Sequence, residues 1–293
     1  MDHSTFLVGL PPQTRTELTA RRRWMGLAHL AGHLGALALT GGLIVAQVPF
    51  WPLLLPVHGV LLVFLFTLEH ECTHRTPFAS DALCDAVGHA CGALLLNPFL
   101  WFRYFHLAHH RFTNQPGDPE LSSPKPETRA QWLWHVSGLP LWWGSLTLLG
   151  RLAMGAERPS YLPERSRHRA ETEARVLLAL YALALLSLFA SPLVLWLWVV
   201  PALLGQPVLR LYLLAEHGDC PQVADMFANS RTTLTTALVR FFAWNMPFHA
   251  EHHTHPGVPF DRLPALHALM RAHLQVTADG YLAFSRAYLA RRR

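Results

Sequence analysis

The sequence predicts an all-α, polytopic membrane protein forming a single domain over residues 1–293. About four transmembrane helices are expected, with interfacial helices and a histidine-rich helical cap on the cytoplasmic side. Three observations carry that reading. Apolar residues make up 51% of the chain and charged residues only 15%, against about 25% charged in ordinary soluble domains. No Asp, Glu, Lys or Arg occurs between Arg23 and Glu69, or between Arg175 and Arg210, and charge-free runs of that length belong in hydrocarbon. The third is that histidines cluster in three short stretches, the first of them, His70 and His74, just beyond the end of the first run.

In chain order, residues 1–23 read as a polar cytoplasmic arm with no hydrophobic signal region. Arg21 to Arg23 precede an apolar run, as in an uncleaved start-transfer anchor. The first span is 24–46, rich in the Gly and Ala that allow close helix packing in lipid. Gln47 to Pro52 turn the chain, and the second span, 53–68, continues into a histidine cluster. His29, His33 and His58 read as hydrogen-bonded bundle histidines. His58 lies about 18 Å along the helix from His70, too far to share a metal with it.

Two further apolar stretches, 86–102 and 131–150, are placed at the interface by parity. If the histidine clusters meet, the chain must cross the bilayer an even number of times between them. Trp132, Trp134, Trp142 and Trp143, with Gly138 and Pro140 between them, suit an interfacial segment. Glu157 to Arg175 reads as a charged cytoplasmic loop. The third and fourth spans are 176–190 and 193–214, turned by Ser191-Pro192. Near the end, Asp261 is expected to cap a helix starting near Pro264, with Leu263, Leu266, Met270 and Leu274 as its apolar stripe.

The net charge of +5 is no nucleic-acid footprint, because the arginines flank the apolar runs, where they meet anionic headgroups. Cys72, Cys84, Cys91 and Cys220 form no C-x-x-C pair and read as reduced thiols.

The chemistry is concentrated in histidine. His106, His109 and His110 stand at i, i+3, i+4, and so do His249, His252 and His253, so each triad shares a helical face. His70 and His74 add an i, i+4 pair. Eight imidazoles exceed one metal's needs, since a catalytic site takes about three protein ligands and keeps a position open. Two metals is the natural reading. Ligating histidines hand their second N–H to a carboxylate or carbonyl, which makes Glu69, Glu71, Asp118, Glu216 and Glu251 the candidate outer partners.

The segments H-E-C-T-H, H-L-A-H-H-R-F-T-N…D-P-E and N-M-P-F-H-A-E-H-H…P-G-V-P-F resemble the three histidine boxes of the integral-membrane fatty acid desaturase and hydroxylase superfamily. The resemblance covers roughly residues 50–270. It implies two iron ions, with O₂ as co-substrate, and oxidation of an unactivated C–H bond in a lipid or other hydrophobic substrate. A second hydrogen abstraction would give a double bond; oxygen insertion would give an alcohol. It also makes His217 an additional ligand and lets Asn245 reach a metal through water. Electrons are expected from a separate protein of ferredoxin, rubredoxin or cytochrome b5 type, received on the basic surface around Arg151 to Arg169. Lipid desaturases, alkane hydroxylases and carotenoid ketolases share these boxes, and beyond the metal ligands the sequence names no catalytic residue. The alternatives are zinc in place of iron, or a non-enzymatic metal-binding membrane protein such as a transporter or sensor. Transporters set ionisable groups near the midplane of the membrane. Here the eight histidines sit at span ends or in loops, which favours catalysis at the membrane surface.

Overall fold

The computed structural model describes all 293 residues, and nearly every regular element is a helix. The amino-terminal arm folds into α1 (His3–Gly9) and α2 (Pro12–Thr19). It is docked on the body: Phe6, Leu10 and Leu18 share a buried cluster with Val63, Leu209 and Met270. The helix α3 (Met25–Val45) follows, and the chain then turns through Gln47 and Phe50, both at positive φ. A 3₁₀ turn, Trp51–Leu53, leads into α4 (Leu54–Val63) and α5 (Leu65–His74), which continue one another closely.

Next come α6 (Asp81–Leu95) and α7 (Phe99–Phe112), bent by 101° at left-handed Leu96 and the Asn97-Pro98 that follows. The stretch expected at the interface, 86–102, is therefore divided between two helices set nearly at right angles. Then α8 (Arg129–Val136) opens on a capping box made by Thr128 and Gln131, and Gly138 at φ 74° turns the chain into α9 (Leu139–Ala153). Leu133, Trp134 and Trp143 are exposed on this pair, as an interfacial segment requires.

The helix α10 (Glu164–Ser187) corrects two expectations. The segment 164–175 is helical, where a loop was expected. Pro163 opens the helix, and the i, i+3 and i, i+4 pairs Glu164–Arg167 and Glu171–Arg175 support its charged turns. The third expected span, 176–190, is the apolar second half of this helix and stops at Ser187, short of the Ser191-Pro192 turn. A π-helical turn, Leu195–Val199, then feeds α11 (Val200–His217), which runs past the expected end at 214 and carries Glu216 and His217 on its last turn.

Three segments are long and apolar enough to cross a membrane: Met25–Val45, Trp51–His74 and Leu195–His217; the bent α6–α7 pair would make a fourth. The tightest crossing joins α4 to α11. A Cβ on Gly59 would lie 2.0 Å from the Pro201 carbonyl oxygen, and one on Gly205 2.3 Å from Gly59 carbonyl carbon, so only glycine fits at either position. The bundle histidines are satisfied by backbone and side-chain partners. His33 Nε2 bonds Leu61 O (2.8 Å) and its Nδ1 accepts from Trp244 Nε1, while His58 lies between Thr40 Oγ1 and Leu197 O.

The remainder closes the cap: α12 (Met226–Asn229), α13 (Ala237–Phe242), α14 (His249–Thr254), α15 (Leu263–Met270) and α16 (Tyr281–Ala290). Two short strands, β1 (Thr232–Thr233) and β2 (Thr277–Ala278), pair in parallel and fix the last segment to the cap. Asp261 lies in a 3₁₀ turn before α15 and does not cap it; its carboxylate stands 3.5 Å from Arg22. The stripe Leu263, Leu266 and Met270 is buried, with Leu274 packed against it.

Candidate metal centre

Four helices aim their histidines at one region. The last turn of α5 carries His70 and His74, and α7 carries His106, His109 and His110. α11 ends on His217, and α14 carries His249, His252 and His253. The backbone around them is held in place. Glu173 on α10 accepts from the Phe99 and Leu100 N–H groups, both at 3.0 Å, and so fastens the first turn of α7. Trp244 and Asn245, both left-handed, steer the chain into α14.

The imidazoles form two groups. His70, His74, His106, His110 and His252 bring one nitrogen each within 4.8 Å of all the others, and His109, His217 and His253 do the same nearby. His249 joins the second group, its Nε2 lying 2.9 Å from His217 Nε2. Each H-x-x-H-H triad is thus split between the groups, and in opposite senses. On α7 the i and i+4 members, His106 and His110, face the first group and His109 the second. On α14 the i and i+4 members, His249 and His253, face the second and His252 the first.

The donor chemistry fits cations. Nε2 atoms approach in pairs: His70 to His252 at 2.8 Å, His74 to His106 at 2.9 Å, His110 to His252 and His109 to His217 at 3.1 Å. Where Nδ1 carries the proton, each Nε2 presents a lone pair. His109 Nδ1 donates to Asp118 at 2.9 Å, His217 Nδ1 to Asn229 O at 3.0 Å and His253 Nδ1 to Thr113 Oγ1 at 3.1 Å. His253 Nε2 is buried and has no partner in the protein. Facing lone pairs repel unless a cation lies between them, and adjacent ligands on one ion with bonds of about 2.1 Å sit roughly 3 Å apart. Burial, reinforced by neighbouring imidazoles, holds His249, His252 and His253 well below the ordinary imidazole range. They are therefore neutral, as metal ligation requires.

The expected outer carboxylates fall into two sets. Asp118 holds His109, Glu216 Oε1 lies 3.4 Å from His249 Nδ1, and Glu71 Oε1 lies 3.7 Å from His252 Nδ1. Glu69 instead accepts from Asn97, and Glu251 bonds Thr232 and His267, so neither touches a cluster histidine. Asn245 donates its Nδ2 to Phe260 O at 3.0 Å. Sequence reasoning missed Thr113 and Asn229, whose roles depend on tertiary approach. It also missed Glu120, whose Oε1 lies 3.9 Å from His109 Nε2 and which pairs with Lys125 at 3.2 Å. Glu120 ends the D-P-E segment, so its signal stood two residues beyond Asp118.

A family model described as fatty acid desaturase matches residues 46–285. Among curated proteins, the chain is 29% identical over 143 residues to an sn-1 oleoyl-lipid 12-desaturase of Picosynechococcus sp., which covers 45% of this chain and 40% of that one. It is 30% identical over 112 residues to an endoplasmic reticulum omega-6 fatty acid desaturase of Glycine max, 38% of this chain and 28% of the relative. A Vigna radiata omega-3 fatty acid desaturase of the endoplasmic reticulum is 39% identical over 62 residues, 21% of this chain and 16% of the relative. The chain thus spans two fifths or less of the length of these relatives.

Proposed function

The chain belongs to the fatty acid desaturase family, and from that premise we propose that it desaturates a lipid acyl chain in an O₂-dependent reaction at a di-iron site. The observation that carries the proposal is the pair of convergent imidazole groups, largely buried among four helices with their ring nitrogens facing one another. The relatives' names speak for desaturation over hydroxylation and for a lipid acyl substrate. In this reading one iron is held by His70, His74, His106, His110 and His252. The other is held by His109, His217, His249 and His253.

Iron bound there would supply the activation of O₂ needed to cleave an unactivated C–H bond. The protein's own part is orientation and exclusion of water. Asp118, Asn229 and Thr113 fix the imidazole planes and tautomers of the second group from outside. Glu71 and Glu216 stand beside His252 and His249, 3.7 and 3.4 Å from their Nδ1 atoms, as carboxyl partners for the second ring nitrogen. Phe66 and Phe102 pack beside His70 and His106 and give that flank an apolar wall. The overall reaction needs two electrons from outside, and the reading assigns them to a separate ferredoxin, rubredoxin or cytochrome b5-type protein. The active site is assigned to the cytoplasmic face. There Arg165 and Arg169 on α10, exposed and outside every ion pair, would receive an acidic donor.

The test is a comparison of fatty acid profiles, by gas chromatography and mass spectrometry, of cells expressing the protein or its His70→Ala variant together with a reductase and donor. A new double bond in the wild-type profile alone is the expected result. Unchanged profiles with iron-loaded wild-type protein would count against desaturation.

A further inference from the structure

Away from the histidines, a groove of about 470 Å³ opens between α8 and α16, lined by Arg129, Trp132, Leu133, Arg286, Leu289 and Ala290. The two helices are tied together beside it: Arg129 N–H donates to Arg293 O, and Tyr288 O–H and Arg292 both donate to Pro126 O. The groove's charges are unmatched. Arg291 and Arg292 are engaged by Asp219, whereas Arg129 and Arg286 lie outside every ion pair of the chain. The remaining lining is apolar except at Trp132, whose indole N–H is buried and finds no acceptor in the protein. Exposed Leu133, Trp134 and Leu282 flank the groove, a composition suited to the headgroup boundary of a bilayer.

We propose that this groove binds an anionic phospholipid, with its phosphate between Arg129 and Arg286 and its acyl chains along Leu133 and Leu289. A guanidinium offers phosphate a planar pair of donors, and two facing one groove select an anion over a zwitterion of the same size. An acidic protein would also find the arginines, but the apolar floor and the exposed Leu and Trp at the rim match acyl chains. The site is independent of the metal chemistry and sits on a different pair of helices.

The experiment uses the full chain in phosphatidylcholine bilayers doped with phosphatidylglycerol, with retained lipid counted by native mass spectrometry after release. Three proteins are compared: wild type, Arg129→Gln/Arg286→Gln and the control Arg165→Gln/Arg169→Gln, which removes the same charge from α10. All four positions are exposed and helical, and Gln is a good helix former, so both variants should fold; melting temperature and metal content verify this. Each interfacial arginine contributes about fivefold in affinity for anionic lipid, so the groove variant should lose about 25-fold in retained phosphatidylglycerol. Phosphatidylcholine should be unchanged, and the control should match wild type. An equal loss in both variants, or wild-type retention in the groove variant, overturns the proposal. So does loss of reduced ferredoxin binding with lipid retention intact, which would make the groove a protein dock.

Discussion

Replacing Asp118 by Asn should release the metal of the second histidine group and leave the first loaded. The Asp118 side chain is almost wholly buried and serves three donors. Its Oδ1 accepts from His109 Nδ1 at 2.9 Å and from Glu120 N at 2.9 Å, and its Oδ2 accepts from Asn114 N at 2.8 Å. An asparagine keeps the shape and can keep both Oδ1 contacts, but its NH₂ then points at the Asn114 N–H. One buried donor is left unsatisfied, at a cost of about 1–3 kcal/mol. The negative charge that stabilises His109 as a donor to the metal is also lost. Outer-partner changes of this kind lower metal affinity about 10–100-fold. The other group has no contact with Asp118 and draws on His70, His74, His106, His110 and His252. Iron measured by plasma mass spectrometry during a chelator titration should therefore show one iron leaving at about 10–100-fold lower chelator concentration than in wild type. The second iron should leave at the wild-type concentration. Loss of both irons together, or of neither, would refute the assignment of His109 and Asp118 to one site.

Three further outcomes follow from the same geometry. His217→Ala should lower iron content by one while keeping the fold, and His273→Ala should keep both irons because His273 stacks on Phe227 away from the centre; equal iron in the two variants would remove His217 from the site. Gly205→Val should lower the melting temperature sharply in detergent, since its added atoms meet the backbone of Gly59 at 2.3 Å, where no rotamer change helps; an unchanged melt would show that the α4–α11 crossing is looser than described. The metal-free protein should lose stability as pH falls. His249, His252 and His253 stay neutral when folded but protonate near pH 6.5 when unfolded, so below about pH 6.5 the unfolded chain binds more protons. Their contribution is complete above that pH and is lost progressively below it, and a melting temperature independent of pH between about 7.5 and 5.5 would contradict it.

Much of the centre was legible because helical spacing is a local property. The triads and the His70–His74 pair declare a shared face before any tertiary contact is known. What spacing cannot show is how a triad is divided. Successive helical residues point about 100° apart, so His109 diverges from His110 and His252 from His253, and only the packing of α7 against α5, α11 and α14 decides where each goes. The same limit separates Asp118, which reaches His109 across one local turn, from Glu69 and Glu251, which neighbour histidines in sequence but face Asn97, Thr232 and His267. In the fold, the charge-free runs marked where apolar helices lie. They did not reveal that the charged stretch before residue 176 continues the same helix, because its buried stripe there is only Ser166, Ala170 and Ala174 and its charged turns are held by ion pairs.

The opposite splitting of the two triads has a mechanical consequence for the proposed di-iron site. α7 and α14 each contribute to both imidazole groups, so the distance between the groups is set inside two rigid helices and not across a loop. α5 adds His70 and His74 to one side only, and α11 adds His217 to the other. Those two helices end segments each long enough to cross a membrane, while α7 is half of a bent pair and α14 a six-residue helix. A shift of either long segment would change the ligand set of one metal while α7 and α14 keep the pair at a fixed spacing. The carboxylates follow the same division, with Glu71 on α5 beside His252 and Glu216 on α11 beside His249. Each long segment therefore brings imidazole and a carboxyl to one group together. The second group draws a further buried carboxylate, Asp118 on His109, from the chain after α7, so its surroundings do not rest on α11 alone.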